Sequence, residues 1–150
     1  ENKKDNYLIF SDNVTYNKNI ELFFTKKNSK AIDKGITITA DNFKYDKIKD
    51  VLNANGKVFI EDKIENYTIS ANDITFNKKL NKIYTKGKTD AEIQSKYIFL
   101  SSDVKIDRNL KQLKSDQSSI LTDDKFNEYK LTDFIYFYEK KFLKGKNIEE

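Results

Sequence analysis

The chain has 150 residues, of which 37% are hydrophobic and 35% charged, and a formal net charge of +4. It contains no His, Cys, Trp, Met or Pro, which excludes Ser-His-Asp triads, thiol chemistry, disulfides and zinc sites built on His or Cys. The length predicts a single domain over residues 1–150, in which the polar segment 1–6 is expected to be frayed.

The positive charge is carried almost entirely by lysine, and Arg108 is the single arginine. The lysines alternate with Asn, Asp and Glu in segments that are typical of turns. Nucleic-acid surfaces concentrate basic charge and favour arginine, so no nucleic-acid partner is predicted. A surface of lysine-rich turns that binds anionic partners remains a minor alternative.

A pattern of about 30 residues recurs five times along the chain. In each copy a large apolar residue follows two small polar residues, and a second large residue stands two positions later. The first large residues are Val14, Phe43, Ile74, Val104 and Phe134, and the second are Tyr16, Tyr45, Phe76, Ile106 and Tyr136. Five positions before the first stand Ile9, Ile38, Ile69, Phe99 and Tyr129.

Each copy alternates apolar and polar residues with period two, which predicts β-strands. The large residues before and after the polar pair differ in parity, so a regular strand would point them to opposite faces. The polar pair, for example Asp41 and Asn42, is therefore predicted to form a bulge or corner that re-aims the strand. A longer period of 60 residues is superimposed, by which Thr85 repeats Thr25.

In chain order, the copies begin with residues 7–16, where Ile9, Val14 and Tyr16 are predicted to face inward. The second copy opens at Gly35, and its return strand contains Asn55-Gly56, which is either a tight hairpin turn or a kink within one long strand. The third copy is 67–76, and the fourth is 97–106 with a weaker return to residue 121. Helix signals are nearly absent, so the fold is predicted to be all-β, an open sheet or jelly roll of hairpin-like repeats.

The fifth copy, 129–138, is apolar on both faces. Such a strand is either packed on both sides within its own domain or lies at an edge that meets a partner. Because the chain has no proline to block pairing at an edge, we predict edge pairing with a neighbouring module. The residues predicted for this pairing are Phe134, Ile135, Tyr136 and Phe137.

The inward positions of the repeats predict an apolar lining. It forms either an ordinary filled core or a lengthwise groove between two faces, for an elongated apolar ligand. A filled interior would favour a structural scaffold, and a channel open at its ends would favour a conduit. The predicted lining residues are Ile38, Phe43, Tyr45, Val51, Val58, Ile60, Ile69, Ile74, Phe76, Ile83, Phe99, Val104 and Ile106.

No catalytic residue, cofactor or metal is predicted. Carboxylates are abundant, but nothing in a repetitive chain singles out a catalytic pair. The repeated Asp and Asn residues could ligate calcium through oxygen. The repeat is much longer than that of calcium-binding β-rolls, and 4 glycines are too few. The polar pair is therefore interpreted as structural, and the protein is predicted not to be an enzyme.

Two copies resemble the OstA-like repeat of the periplasmic lipopolysaccharide-transport (Lpt) proteins. The first spans 39–46 and 51–61 and reads TADNFKYD and VLNANGKVFIE, and the second spans 70–77 and 83–87. The resemblance implies a twisted β-jelly roll, open along its length, whose apolar interior carries the acyl chains of lipid A. It also implies a periplasmic location at the outer membrane and end-to-end pairing with neighbouring Lpt jelly rolls.

Within that family the closing stretch, residues 119–124 and 129–134, is similar to the N-terminal domain of the lipopolysaccharide-assembly protein LptD. That similarity implies an outer-membrane barrel as a further part of a longer chain. The predicted function is thus a non-enzymatic module that conducts lipopolysaccharide acyl chains. The alternative is a structural or adhesive β-repeat scaffold with a filled core.

Overall fold

The computed structural model describes residues 7–146 and residue 149, and these form an all-β protein. Among the described residues, no helix is long and apolar enough to span a membrane. The strands are β1 (Leu8–Phe10), β2 (Asn13–Asn17), β3 (Leu22–Asp33), β4 (Ile36–Asp46), β5 (Val51–Asp62), β6 (Tyr67–Asn77), β7 (Lys82–Ile93), β8 (Tyr97–Ser102), β9 (Lys105–Asp107), β10 (Gln112–Ser115), β11 (Ser119–Thr122), β12 (Glu128–Leu131), β13 (Asp133–Phe137) and β14 (Phe142–Lys146).

The strands form one open, twisted antiparallel sheet. Strands β3 to β7 pair with one another in chain order. Strands β3 to β7 are continuous over 11 or 12 residues. The first, fourth and fifth copies are each divided into two short strands, β1 and β2, β8 and β9, and β12 and β13. This architecture confirms the predicted all-β, open jelly roll.

A line of register shifts crosses the sheet at the polar pairs, and we call it the corner line. The shifts fall between Lys26 and Ser29, Thr39 and Asn42, Asn55 and Val58, and Ala71 and Asp73. In β4 the buried positions change parity here: Ala40 and Phe43 are buried, whereas the two residues between them are exposed. The predicted bulge is confirmed at the polar pairs of β4 and β6, whereas in the first, fourth and fifth copies the strand is interrupted near the polar pair.

The same geometry decides between the two predictions for Asn55-Gly56. Both residues lie within β5, and the ladder to β6 shifts register directly after Asn55. Gly56 has φ +85°, in the left-handed region that glycine adopts without steric cost. The dipeptide is therefore a kink inside one long strand and not a hairpin turn.

The corner line divides the sheet into two halves that pack face to face. Half A contains β1, β8, β11 and β12 with the adjoining parts of β3 to β7, and half B contains β2, β9, β10, β13 and β14 with the remaining parts. Phe99 of half A stacks on Phe134 of half B, with ring centroids 5.2 Å apart. The apolar side chains between the halves form the core.

Three residues that the sequence assigns to the interior are not buried. Val51 is half-buried, and its neighbour Leu52 is 1% exposed instead. The reason is the register: Leu52 lies directly opposite Tyr45, and cross-strand partners share a face. Val14 and Tyr16 are 54% and 43% exposed because they lie on β2, the outermost strand of half B, where no described residue covers them.

The prediction that Phe134, Ile135, Tyr136 and Phe137 form a pairing edge is also wrong in its placement. These residues lie in β13, which pairs with β10 on one side and β14 on the other. Its main chain is therefore already used on both sides. The outermost strand at this end of half B is β14. Among the described strands it pairs with β13 alone.

Candidate functional site

The interior between the two halves is the site to which the sequence assigned a ligand. Of the thirteen predicted lining residues, all except Val51 are buried, with exposures from 0 to 6%. They come from both halves of the sheet and belong to one continuous apolar cluster. These twelve side chains are shielded from water in this structure, and the lining of a lipid groove by the predicted residues stays a prediction.

Several interior residues were not assigned from the sequence, and many of them belong to the return strands between the repeat copies. Leu113 shows how they could have been found, since it lies directly opposite both Ile106 and Tyr136. Register, and not local pattern, identifies these positions. The additional buried apolar residues on the return strands are Ala31, Leu52, Ala54, Ala91, Ile93, Leu113 and Leu121, and those within the repeat copies are Tyr7, Ile36, Ala40, Tyr67, Leu131 and Tyr138.

Pairs of hydroxyls compensate for the hydrogen bonds that the corner line interrupts. Thr25 and Ser29 lie 2.6 Å apart between hydroxyl oxygens, and so do Thr85 and Thr89. The Thr25 hydroxyl accepts the N–H of Phe43, and the Thr85 hydroxyl accepts that of Val104. Buried amides released by a register shift need such acceptors, which explains why Thr25 recurs 60 residues later as Thr85.

Opposite the corner line, turns of half A meet turns of half B, and we call this line of contacts the seam. Asp33 pairs with Lys78 at 3.2 Å, Asp62 with Arg108 at 2.9 Å, and Glu65 with Lys111 at 2.5 Å. Each pair joins turns that are about 45 residues apart in the chain, a constant stagger that follows from the twist of the sheet. At every pair the carboxylate belongs to half A and the cation to half B.

Arg108 makes the most contacts at the seam. Its guanidinium donates to the Tyr67 hydroxyl at 3.2 Å, the Asn81 side-chain oxygen at 2.7 Å and the Asp62 carboxylate at 2.9 Å. Burial lowers the pKa of Arg108, but Tyr67 and Asp62 outweigh it and the pKa is raised overall. No pattern in the sequence predicts a role for Arg108, whose one distinguishing feature there is that it is the single arginine.

Asp62 is held by the seam and by its own turn. Its side chain is 0% exposed, and one carboxylate oxygen accepts the backbone N–H groups of Ile64 and Glu65. The other oxygen accepts the guanidinium of Arg108. A buried carboxylate requires such a partner because its desolvation is otherwise costly.

Several buried polar atoms within the described part of the chain lack a hydrogen-bond partner. They are the hydroxyls of Tyr7, Tyr136 and Tyr138 and the side-chain oxygen of Gln94. Burial is the main cause that raises the pKa of Tyr7 and Tyr138, and it raises the pKa of Tyr136 to about 12. These phenols are neutral at physiological pH and leave hydrogen-bonding capacity unused inside the molecule.

The interior is uncovered at its β2 end. Tyr16 stacks on Phe23 with ring centroids 4.2 Å apart, and Phe23 packs against the core. The exposed Val14 lies opposite the buried Thr25, so it shares the inward face.

No group of three or more acidic residues that could hold a metal ion occurs among the described residues.

The fold has a counterpart among solved structures. One similar structure is LptH from Pseudomonas aeruginosa, described as the LptA-homologous periplasmic component of the lipopolysaccharide transport device. The TM-score is 0.62 over 68% of this chain and 76% of LptH. This chain has the fold of LptH. At 11% identity the likeness to LptH establishes the fold alone, and the finer resemblance to the LptD domain stays a prediction.

The sequence itself gives no further match. No protein-family model matches the chain, and no curated protein matches it. The OstA-like resemblance therefore rests on the residues quoted above and stays a prediction.

Proposed function

We propose that this chain is a non-enzymatic conduit module of the Lpt type, which carries the acyl chains of lipopolysaccharide through the periplasm towards the outer membrane. The observation that carries the proposal is an LptH-like jelly roll whose interior is apolar along its length and uncovered at one end. Neighbouring Lpt jelly rolls are its proposed protein partners. No bond is made or broken in this function.

The energetics of acyl-chain burial suit a conduit. Removing one CH₂ group from water contributes roughly 0.8 kcal/mol, so burial of a ~12-carbon chain contributes several kcal/mol, which is opposed by the cost of separating the two halves. A gain of that size retains the chain without making its binding irreversible. A carrier must also release its ligand, which favours this intermediate affinity.

A structural or adhesive scaffold is the second candidate, and one observation favours it. The predicted lining residues other than Val51 are at most 6% exposed, so the interior is filled by the protein's own side chains. A filled interior suffices for a scaffold. A conduit requires in addition that the halves separate when a ligand enters.

Site-specific photo-crosslinking to purified lipopolysaccharide tests the proposal. p-Benzoylphenylalanine replaces Phe76, which is 2% exposed and inward, or Thr75, which is half-buried on the opposite face of the same strand. We expect capture of lipopolysaccharide from position 76 and not from position 75. Ile74, also inward, serves as a second positive position. Equal capture at all three positions, or none, would contradict the conduit and leave the scaffold.

A further inference from the structure

We infer that the seam is the lateral entrance through which an anionic, acylated ligand reaches the apolar interior, and that the Arg108–Asp62 ion pair is its latch. This inference rests on the proposed function. It adds where the ligand enters, which residues hold the entrance closed and which charge the ligand carries.

The first argument is the difference between the two borders of the interior. Along the corner line the halves are joined by the main chain of β3 to β7, which runs continuously through the bulges. Along the seam the described contacts are between side chains, or between a side chain and a backbone carbonyl, as where Gln94 donates to the carbonyl of Tyr138. The halves can therefore part at the seam without breaking a strand ladder, with the corner line as the hinge.

The second argument is the segregation of charge. Lys78, Arg108 and Lys111 lie on half B, and their carboxylate partners lie on half A. Opening the seam leaves a row of cations along the lip of half B and a row of carboxylates along the lip of half A, so an anionic headgroup is directed to the lip of half B. An anionic headgroup that pairs with the cations of half B replaces their carboxylate partners. No partly buried cation is then left without a counter-charge.

The third argument is that the closed seam leaves polar groups unsatisfied beneath it. The Tyr7 ring lies under the ammonium group of Lys78 at 4.7 Å, and the Tyr138 ring lies 5.7 Å from that of Tyr67, whose hydroxyl binds Arg108. The hydroxyls of Tyr7 and Tyr138 have no partner in the closed state. Opening exposes these hydroxyls to water or to a headgroup, which removes a penalty of the closed state.

A reversible bridge across the seam tests the entrance. Glu65→Cys and Lys111→Cys are joined by a short bis-methanethiosulfonate, because two long side chains separate the backbones beyond disulfide reach. The matched control, Thr68→Cys with Glu92→Cys, bridges direct partners of β6 and β7 within half A. Circular dichroism and thermal unfolding establish that each bridged variant is folded.

Capture of lipopolysaccharide by p-benzoylphenylalanine at position 76 is the readout. We expect the seam bridge to reduce capture about tenfold or more, reduction to restore it, and the control bridge to leave it unchanged. Undiminished capture with the seam bridged would overturn the entrance while leaving the proposed function in place. Absence of capture in the unbridged parent and in both reduced variants would instead overturn the proposed function and the entrance with it.

A second variant tests the latch independently of the bridge. Asp62→Asn removes the charge that holds Arg108 but keeps the oxygen that accepts the turn amides of Ile64 and Glu65. We expect capture to proceed several-fold faster than in the parent. An unchanged or slower rate in the folded variant would remove Arg108–Asp62 as the latch.

Competition between two single-chain amphiphiles tests the ligand charge. Dodecyl phosphate and dodecyl maltoside, each below its micelle-forming concentration, compete with lipopolysaccharide for capture at position 76. We expect dodecyl phosphate to be the stronger competitor by about tenfold, and Arg108→Gln to reduce that preference. Equal competition by the two amphiphiles would contradict an entrance that selects anionic ligands.

Discussion

Single hydroxyls at the corner line show how a repeat tolerates an interrupted strand ladder. Thr85 is 8% exposed, and its oxygen lies 2.6 Å from Thr89 and accepts the amide of Val104 at 2.9 Å. A valine has nearly the same shape but cannot accept a hydrogen bond. The residue is therefore threonine because of the amide it satisfies and not because of its volume.

We predict that Thr85→Val lowers the free energy of unfolding by about 1–3 kcal/mol, because the buried Val104 amide then lacks an acceptor. Urea unfolding measures the effect. Thr39→Val, on the outer face of β4, is the matched control and should change stability by about 0.5 kcal/mol or less. Equal losses in the two variants would indicate that the corner hydroxyl has no special role.

At the scale of the strand, the corner is built from a left-handed residue on one strand and a polar side chain on its neighbour. Gly87 has φ +79° and its amide donates to the Asp103 carboxylate at 2.7 Å. Gly56 has φ +85°, and a Cβ there would lie 2.4 Å from a carboxylate oxygen of Asp41. The polar pair thus packs against, or binds, the kink of the adjacent strand.

We predict that Gly87→Ala costs about 1 kcal/mol, since its Cβ would meet open space and only the backbone penalty applies. Gly56→Ala should cost more because the side chain of Asp41 must also move. Asp41→Ala alone should cost about 0.5–2 kcal/mol and leave lipopolysaccharide capture per folded molecule intact.

A double-mutant cycle separates the steric part. With Asp41→Ala present, the cost of Gly56→Ala should fall because the carboxylate is gone, but it should stay above the cost of Gly87→Ala because the Cβ of residue 41 still lies 2.9 Å from the added Cβ. Strict additivity of the two substitutions would contradict the close packing of Asp41 on Gly56. Loss of capture by a fully stable Asp41→Ala variant would instead assign the polar pair a binding role.

For the whole molecule, the sheet ends in strands with one neighbour each. Among the described strands, β1 and β2 pair with β3, β12 pairs with β11, and β14 pairs with β13. Unpaired strand edges are templates for further pairing. Pairing of β14 with the β1–β2 edge of another module would extend the apolar interior from one module to the next.

We predict concentration-dependent self-association of the chain through these edges. Successive amides of an antiparallel strand alternate between its two sides, so Leu143→Pro and Lys144→Pro differ in which side they affect. One of the two should abolish association and leave the fold intact, and the other should break the ladder to β13 and lower stability. Sedimentation velocity over a wide concentration series, with thermal unfolding, measures both effects.

A strict monomer at high concentration, or an oligomer unaffected by both prolines, would remove these edges as an interface. A proline at Phe137, one of the residues that the sequence predicts for edge pairing, would have a different effect, because β13 has neighbours on both sides. Phe137→Pro is therefore expected to disrupt the fold itself and is not a test of docking.

The sequence by itself determined the fold class, the five-fold repeat and the corner line. These features are encoded locally: alternation with period two fixes the face of each residue, and the change of parity at Asp41 and Asn42 requires a bulge. For the same reason, nearly all inward residues of the repeat copies were predicted correctly. Val51 was predicted wrongly because the cross-strand register decides which residue of β5 faces inward. In that register Leu52, and not Val51, lies opposite the buried Tyr45.

Only the tertiary structure decided where the sheet ends and what closes its interior. The apolar run of β13 has the same pattern whether or not β14 covers its edge, so sequence could not distinguish an edge from an internal strand. The seam joins turns that are about 45 residues apart, and no local pattern marks such contacts. They arise from the twist that brings each turn of half A over a later turn of half B, and that is why Arg108, which reads in sequence as one more solvated cation in a turn, lies at the centre of the seam.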